Sequence, residues 1–212
     1  NPFTIVIIYV FANVDIIPVF LTVLSLYFFK KDKIFSAGFL IGLASGFKTY
    51  PLLFLPFILV GAKSFKEKSR ILLASLGIFA LIVIPFWSES FSRLSFASGL
   101  TTRIFASGMS LGFGEGIIPT VFLLVIFFIL KASEVEKKQL WKYFLGVLLV
   151  VFAFIHFHIQ WLLWVAPFIV ILFVKSKNLG ILTLLMVVSA FLIPFLYQDK
   201  SMSVALLRGY SL

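Results

Sequence analysis

Cysteine is absent, so neither a disulfide framework nor a thiolate metal site can form, and the redox compartment leaves no trace in the sequence. Charge is scarce: 12% of the 212 residues are Asp, Glu, Lys or Arg, about half the share in a soluble domain. Acids are scarcer still, eight against eighteen Lys and Arg, and histidine occurs twice. There is no phosphate-binding Gly loop, nucleophile elbow, zinc-protease His pair or paired-carboxylate motif. The scattered acids nominate no catalytic dyad. What fills the chain is apolar: 62% hydrophobic residues, 28 of them Phe, and a mean hydropathy of +1.16. A water-soluble globule of this size cannot hide so much apolar surface, which excludes a soluble enzyme or nucleic-acid binder. No β-barrel alternation is present. The fold class expected is all-α, a polytopic helical membrane protein.

The net charge of +10 follows the same logic. Four loops, KKDK (30–33), KSFKEKSR (63–70), KASEVEKKQLWK (131–142) and KSKN (175–178), hold 13 of the 18 Lys and Arg, whereas the acids divide evenly between these loops and the rest. A Lys/Arg excess without an acid bias marks the cytoplasmic side. The stretches 34–62 and 143–174 then carry cytoplasmic charge at both ends. One helix cannot start and finish on the same side, so each stretch is expected to be a hairpin of two short helices. The arms have about 12–16 residues, against about 20 for a full span. The tips fall at Lys48-Thr49-Tyr50-Pro51 and at His156-Phe157-His158-Ile159-Gln160. Short arms place them at or below the outer surface, where irregular backbone is tolerated only beside protein or a water-filled cavity. The return arms align with each other, Pro56, Phe57 and Ile58 matching Pro167, Phe168 and Ile169, as an internal repeat would. The whole chain, 1–212, reads as a single transmembrane domain of about eight membrane segments. Its longest external loop, 88–116, is rich in Ser and Gly and carries Phe91, Phe96, Phe105 and Phe113, the pattern of a short interfacial helix. The chain opens on Asn1-Pro2 with no signal peptide, which reads as a fragment of a longer membrane protein.

Few residues can carry chemistry in such a chain. Lys48 lies in an apolar context, and an intramembrane lysine suits pairing with a phosphate; the alternative is a lysine snorkelling from a helix end. His156 and His158, with Gln160 next, suit a phosphate or sugar hydroxyl, a structural role, or a metal, for which no third ligand is close in sequence. Asp15 opens a span, either as an N-cap favoured by the helix dipole or as a ligand contact on the external face. Arg103 suits a lipid phosphate or headgroup. Glu89 and Glu115 read as solvated charges.

The order of these features resembles the GT-C superfamily of multi-pass glycosyltransferases, including the polyprenyl-phosphate-mannose-dependent mannosyltransferases, the bacterial family-87 enzymes and the GPI mannosyltransferase I catalytic subunit. Three pieces carry the resemblance: Asn13-Val14-Asp15 opening a span, AGFLIGLASGFKTYPLLFLPFIL (37–59) with its Lys-x-Tyr-Pro, and HIQWLLW (158–164) followed by Pro167. The resemblance implies inverting transfer of a sugar, mannose foremost, from a polyprenyl-phosphate-sugar to a lipid, glycan or protein acceptor on the external or lumenal face. The membrane would be a prokaryotic plasma membrane or the endoplasmic reticulum. The superfamily carries its catalytic acid in the first external loop, which nothing here matches. The chain would then be the C-terminal part, with the base upstream of Asn1. Lys48, Arg103 and His158 are the candidates for the donor phosphate, and Asp15, Tyr50, Gln160 and His156 for sugar or acceptor hydroxyls. No metal ligand is assigned, and metal dependence stays open between none and a divalent Mg or Mn ion. A transporter or lipid-linked-sugar flippase with the same broken hairpins is the alternative class, and a non-catalytic membrane subunit a third.

Overall fold

The structure is a computed structural model that describes residues 14–96, 108–112, 115–154 and 161–175, with Gly180. Chain contacts divide the protein into two compact units, Asn1–Phe168 and Ile169–Leu212; the described part of the second is the last turns of one helix and Gly180. All side-chain contacts that follow lie in the first unit.

Helix α1 (Ile16–Lys30) turns through Lys31-Asp32-Lys33 into α2 (Ile34–Phe47). Asp32 takes φ 57°, a left-handed conformation that Asp tolerates better than most residues. The helices are tied by a buried hydrogen bond, Ser25 Oγ donating to the Ala37 carbonyl at 2.8 Å. Helix α2 stops at Lys48, whose backbone is extended (φ −150°, ψ 137°). The physical cause is Pro51: it lacks an N–H and its ring would clash with the carbonyl four residues back, at Phe47. The chain resumes as a 3-10 turn, Tyr50–Phe54, then the short helix α3 (Leu55–Val60), with Pro56 in the first turn, where a missing N–H costs nothing.

Helix α4 (Phe65–Val83) starts at a capping box. Ser64 Oγ accepts from the Glu67 N–H at 3.2 Å, and the Glu67 carboxylate accepts from the Lys63 N–H at 2.8 Å. The seam between α2 and α4 is built on glycine. A Cβ at Gly38 would lie 2.8 Å from the Ile71 carbonyl, one at Gly42 would overlap the Ser75 carbonyl, and one at Gly46 would lie 2.6 Å from Ile82 Cδ1. Both partners rise together in number, so the two helices run parallel. Parallel neighbours require the intervening chain to travel back, and segment 50–60 does so. Its length fits: about 10 Å of 3-10 turn and about 9 Å of α-helix return over the about 21 Å of α2. Segment 34–62 is therefore folded back on itself.

After α4 come a 3-10 turn, Ile84–Phe86, and a short helix, α5 (Glu89–Phe96). The described residues are mostly helical, as expected, and one short strand pair interrupts them in the same loop. Strands β1 (Met109–Gly112) and β2 (Glu115–Ile117) pair antiparallel, Met109 opposite Ile117, with a register shift before Gly112 at φ 95°. The Gly-rich run Leu111-Gly-Phe-Gly-Glu-Gly favours such a turn, because glycine adopts positive φ without strain. Helix α6 (Pro119–Lys131) leads through two 3-10 turns to α7 (Leu140–Phe154), and α8 (Leu162–Lys175) follows. Phe144 faces Phe168 and Phe152 faces Trp164, so α7 and α8 run antiparallel. The alignment of the two return arms does not extend to their geometry. With prolines at 51 and 56 the first is part 3-10, whereas Pro167 lies inside a continuous α8.

The core is aromatic. Phe54 stacks on Phe144 (4.1 Å between centroids, 10° between planes) and meets Phe168 edge-on, joining the two folded-back segments. Phe57 stacks on Tyr143 and touches Phe127 and Phe128. The outer surface is apolar as well: Phe20, Phe35, Leu73, Leu81 and Ile129 are each more than 60% exposed. That surface suits lipid, not water. Among the described residues one helix, Phe65–Phe86, is long and apolar enough to cross a membrane alone, at 22 residues with a mean hydropathy of 2.1. Five other apolar helices have 10–17 residues. These helices do not confirm the expected count of about eight segments, and its run at 3–12, with all of 179–197 but Gly180, lies outside the described residues.

The glycine seam gives a stability prediction. Gly42→Leu should cost about 1–3 kcal/mol or prevent folding, because its side chain meets backbone that cannot move aside. Gly77→Ala, with nothing within 4 Å of the new Cβ, should leave stability unchanged or raise it. Thermal unfolding of the two variants in detergent measures the contrast.

Candidate functional site

The fold has two polar ends. At one, three basic loops converge on a single carboxylate. Asp32 Oδ1 accepts from Lys137 Nζ at 2.5 Å and lies 3.8 Å from Lys63 Nζ. Lys137 also sits over the Phe29 ring, 5.0 Å from its centroid. Loops 30–33, 63–70 and 131–142 thus stand together. The hydrogen bond from Lys137, then the charges of Lys137 and Lys63, hold the Asp32 carboxyl below its ordinary value of 3.8.

The other end holds the candidate site. Asp15 precedes α1, Lys48 closes α2, Tyr50 opens the return segment, and Trp164 lies in the first turn of α8. Asp15 is 1% exposed, yet its side chain makes no capping hydrogen bond to α1, contrary to the N-cap reading. Its carboxylate faces across the fold instead. Oδ2 accepts from Trp164 Nε1 at 2.8 Å, and Oδ1 lies 3.4 Å from Lys48 Nζ. A buried carboxylate costs several kcal/mol unless a cation and hydrogen-bond donors surround it, and these two groups supply both. The Lys48 side chain keeps 40% of its surface exposed while its ammonium stands 3.4 Å from the buried Asp15 carboxylate.

Aromatic rings fix the arrangement. Trp164 stacks on Tyr50 (4.0 Å, 8°) and on Trp161 (4.9 Å, 17°). The Tyr50 hydroxyl is buried beside Thr22, outside hydrogen-bond geometry, while Thr22 donates its own proton to the Pro18 carbonyl at 2.7 Å.

Of the residues singled out in the sequence, Asp15, Lys48 and Tyr50 are therefore brought together, although 33 positions separate the first two. Arg103, His156, His158 and Gln160 lie outside the described residues. Glu89 is exposed and pairs with Arg93 one helical turn away at 2.5 Å, and Glu115 is exposed on β2. Trp164 lies within the HIQWLLW run, to which the sequence alone assigns no side-chain contact. Its signal is that an indole N–H inside an apolar chain needs an acceptor, and Asp15 is a carboxylate in equally apolar surroundings. Among the described residues no three His, Cys, Asp or Glu side chains stand together as a metal site.

Residues 8–103 match the family model described as Glycosyltransferase family 87. The match spans a little under half of the chain and includes Asp15, Lys48 and Tyr50. It supports a glycosyltransferase as the class of protein. No curated protein and no solved structure matches the chain.

The basic end yields a pH prediction. Because the folded-state pKa of Asp32 is depressed, its stabilising effect is complete above the ordinary carboxylate value and is lost as the pH falls through the folded one. Asp32→Asn should therefore lower the thermal midpoint at neutral pH, and the gap to wild type should close in acid below pH 3.8. Thermal scans of both proteins across that range test the sign.

Proposed function

We propose that this chain is the membrane-embedded part of a GT-C-type glycosyltransferase that moves a sugar, mannose foremost, from a polyprenyl-phosphate carrier to an acceptor hydroxyl on the external or lumenal face. The observation that carries the reading is the part-exposed Lys48 side chain, its ammonium 3.4 Å from buried Asp15, at the end of the helices opposite the basic loops. The family-87 match over the same residues supports it.

The geometry suits a lipid-linked donor. Helices of 14 and 15 residues are about 21–22 Å long, against about 30 Å of hydrocarbon. With the basic loops at the cytoplasmic surface, the Lys48 end lies beneath the opposite headgroups. A polyprenyl phosphate anchored by its chain presents its phosphate near that depth.

In the transfer, the acceptor oxygen bonds to the anomeric carbon as the bond from that carbon to the phosphate oxygen breaks. The electron pair leaves with the polyprenyl phosphate, and the acceptor proton passes to a carboxylate base. Lys48 stabilises the charge growing on the leaving phosphate, joined by Arg103 and His158. Gln160 and His156 are the candidates for the sugar and acceptor hydroxyls, while Tyr50, buried against Trp164, supports the site from behind. Both carboxylate oxygens of Asp15 are turned toward Lys48 and Trp164, so Asp15 holds the cation, and a different carboxylate serves as the base. A divalent Mg or Mn ion would add positive charge at the same phosphate. The remaining partners are membrane lipids and a lipid, glycan or protein acceptor.

In the full-length protein, Lys48→Ala should lower kcat for transfer from polyprenyl-phosphate-mannose by about 100-fold or more while membrane level stays unchanged. Lys48→Arg should restore part of it, because a planar guanidinium is not a compact ammonium. Transfer by Lys48→Ala at the wild-type rate would remove the phosphate site from this end. The orientation has its own check, made convenient by the absence of cysteine. A cysteine placed at Met109 should react with an impermeant reagent from outside, and one placed at Lys138 only after permeabilisation.

A further inference from the structure

The Asp15–Lys48 pair is loose. At 3.4 Å it is longer than a charge-assisted hydrogen bond, about 2.7–2.9 Å, whereas the contact from Trp164 Nε1 to the same carboxylate is 2.8 Å. The carboxylate is therefore set by the indole, and the lysine is set by the carboxylate. The indole cannot turn away, because its ring is stacked on both Tyr50 and Trp161. It also belongs to a different element from the pair it serves. Asp15 and Lys48 sit at the ends of α1 and α2, and Trp164 is on α8, the return arm of the second folded-back segment. An indole N–H only donates and an ionised carboxylate only accepts, so the contact works in one direction and leaves Oδ1 for the cation.

We propose that Trp164 is a positioning residue. Its Nε1–H fixes the Asp15 carboxylate, and through it aims the Lys48 ammonium at the anionic group of a lipid-linked phosphate. The site is then complete only when the second folded-back segment is docked on the first. The proposal rests on Lys48 facing a phosphate, and the test separates the two.

Trp164→Phe keeps an aromatic ring against Tyr50 and removes the N–H. In the reconstituted full-length protein, it should lower kcat for transfer from polyprenyl-phosphate-mannose about tenfold, the size of one lost hydrogen bond to a charge. The acceptor KM should stay unchanged. Binding of a short-chain polyprenyl phosphate should weaken by a similar factor in the wild-type background and not at all in a Lys48→Ala background. Asp15→Asn, which keeps the shape and removes the charge, should reproduce the loss, and the double variant should be no worse than the worse single one. Should Trp164→Phe not fold, the comparison of Asp15→Asn with Trp164→His, which restores a ring N–H and part of the activity, carries the test. Equal losses from Trp164→Phe with and without Lys48, or a lowered thermal midpoint with kcat intact, would overturn the positioning role alone. Undiminished polyprenyl phosphate binding by Lys48→Ala would overturn the phosphate reading beneath it.

Discussion

Pro51 is the constraint on which the architecture turns. By forbidding α2 from continuing past Phe47, it forces the break at Lys48 and sends the chain back along its own length. The return brings Lys63 to Asp32 and lets α4 start level with α2. Parallel packing of α2 and α4 follows, and with it the glycine seam, since two backbones can come this close only where one of them has no side chains. The break also leaves Lys48 at a helix end, its side chain 40% exposed. One missing N–H thus fixes topology, packing and the place of the lysine that meets Asp15.

The two polar ends use carboxylates in opposite ways. Asp32 is exposed, so water screens it, and its partnership with Lys137 and Lys63 ties loops at little electrostatic risk. Asp15 is buried, where the same chemistry has larger consequences. A buried carboxylate needs a cation and a hydrogen-bond donor, and the Lys48 ammonium and the Trp164 indole N–H stand against this one. The aromatic core between the ends, Phe54 with Phe144 and Phe168, keeps the two folded-back segments at a fixed distance, which is what lets a hydrogen bond from one reach a carboxylate of the other.

Much of this was legible in the sequence because so apolar a chain has few charges, and each is informative. The Lys/Arg partition over loops 30–33, 63–70 and 131–142 announced that these loops share one side, and the parity of crossings then demanded a fold-back in 34–62. Lys48 stood out because lysine is rare in apolar surroundings. What stayed hidden was tertiary. Nothing in spacing told that Asp15 would reach Lys48, or that Asp15 would turn from its own helix toward an indole 149 residues away. The strand pair at 109–117 was hidden by its composition, too short and glycine-rich to show alternation. The difference between the two return arms came from a proline at 51 with no counterpart in the other.

The polar pair at the candidate site has a direction. Helices α1 and α2 are antiparallel, so the start of one lies beside the end of the other. Asp15 stands at the positive end of the α1 dipole and Lys48 at the negative end of α2, each charge placed where the backbone favours it. Exchanging them, lysine at 15 and aspartate at 48, would keep the attraction between the two side chains. It would also set both against their helices, each at a cost of about 0.3–1 kcal/mol in water and more in an apolar setting. The indole N–H of Trp164 would then point at an ammonium, donor against donor. The pair behaves as a keyed connector, not as a symmetric bond, and only substitutions that keep its polarity preserve these contacts.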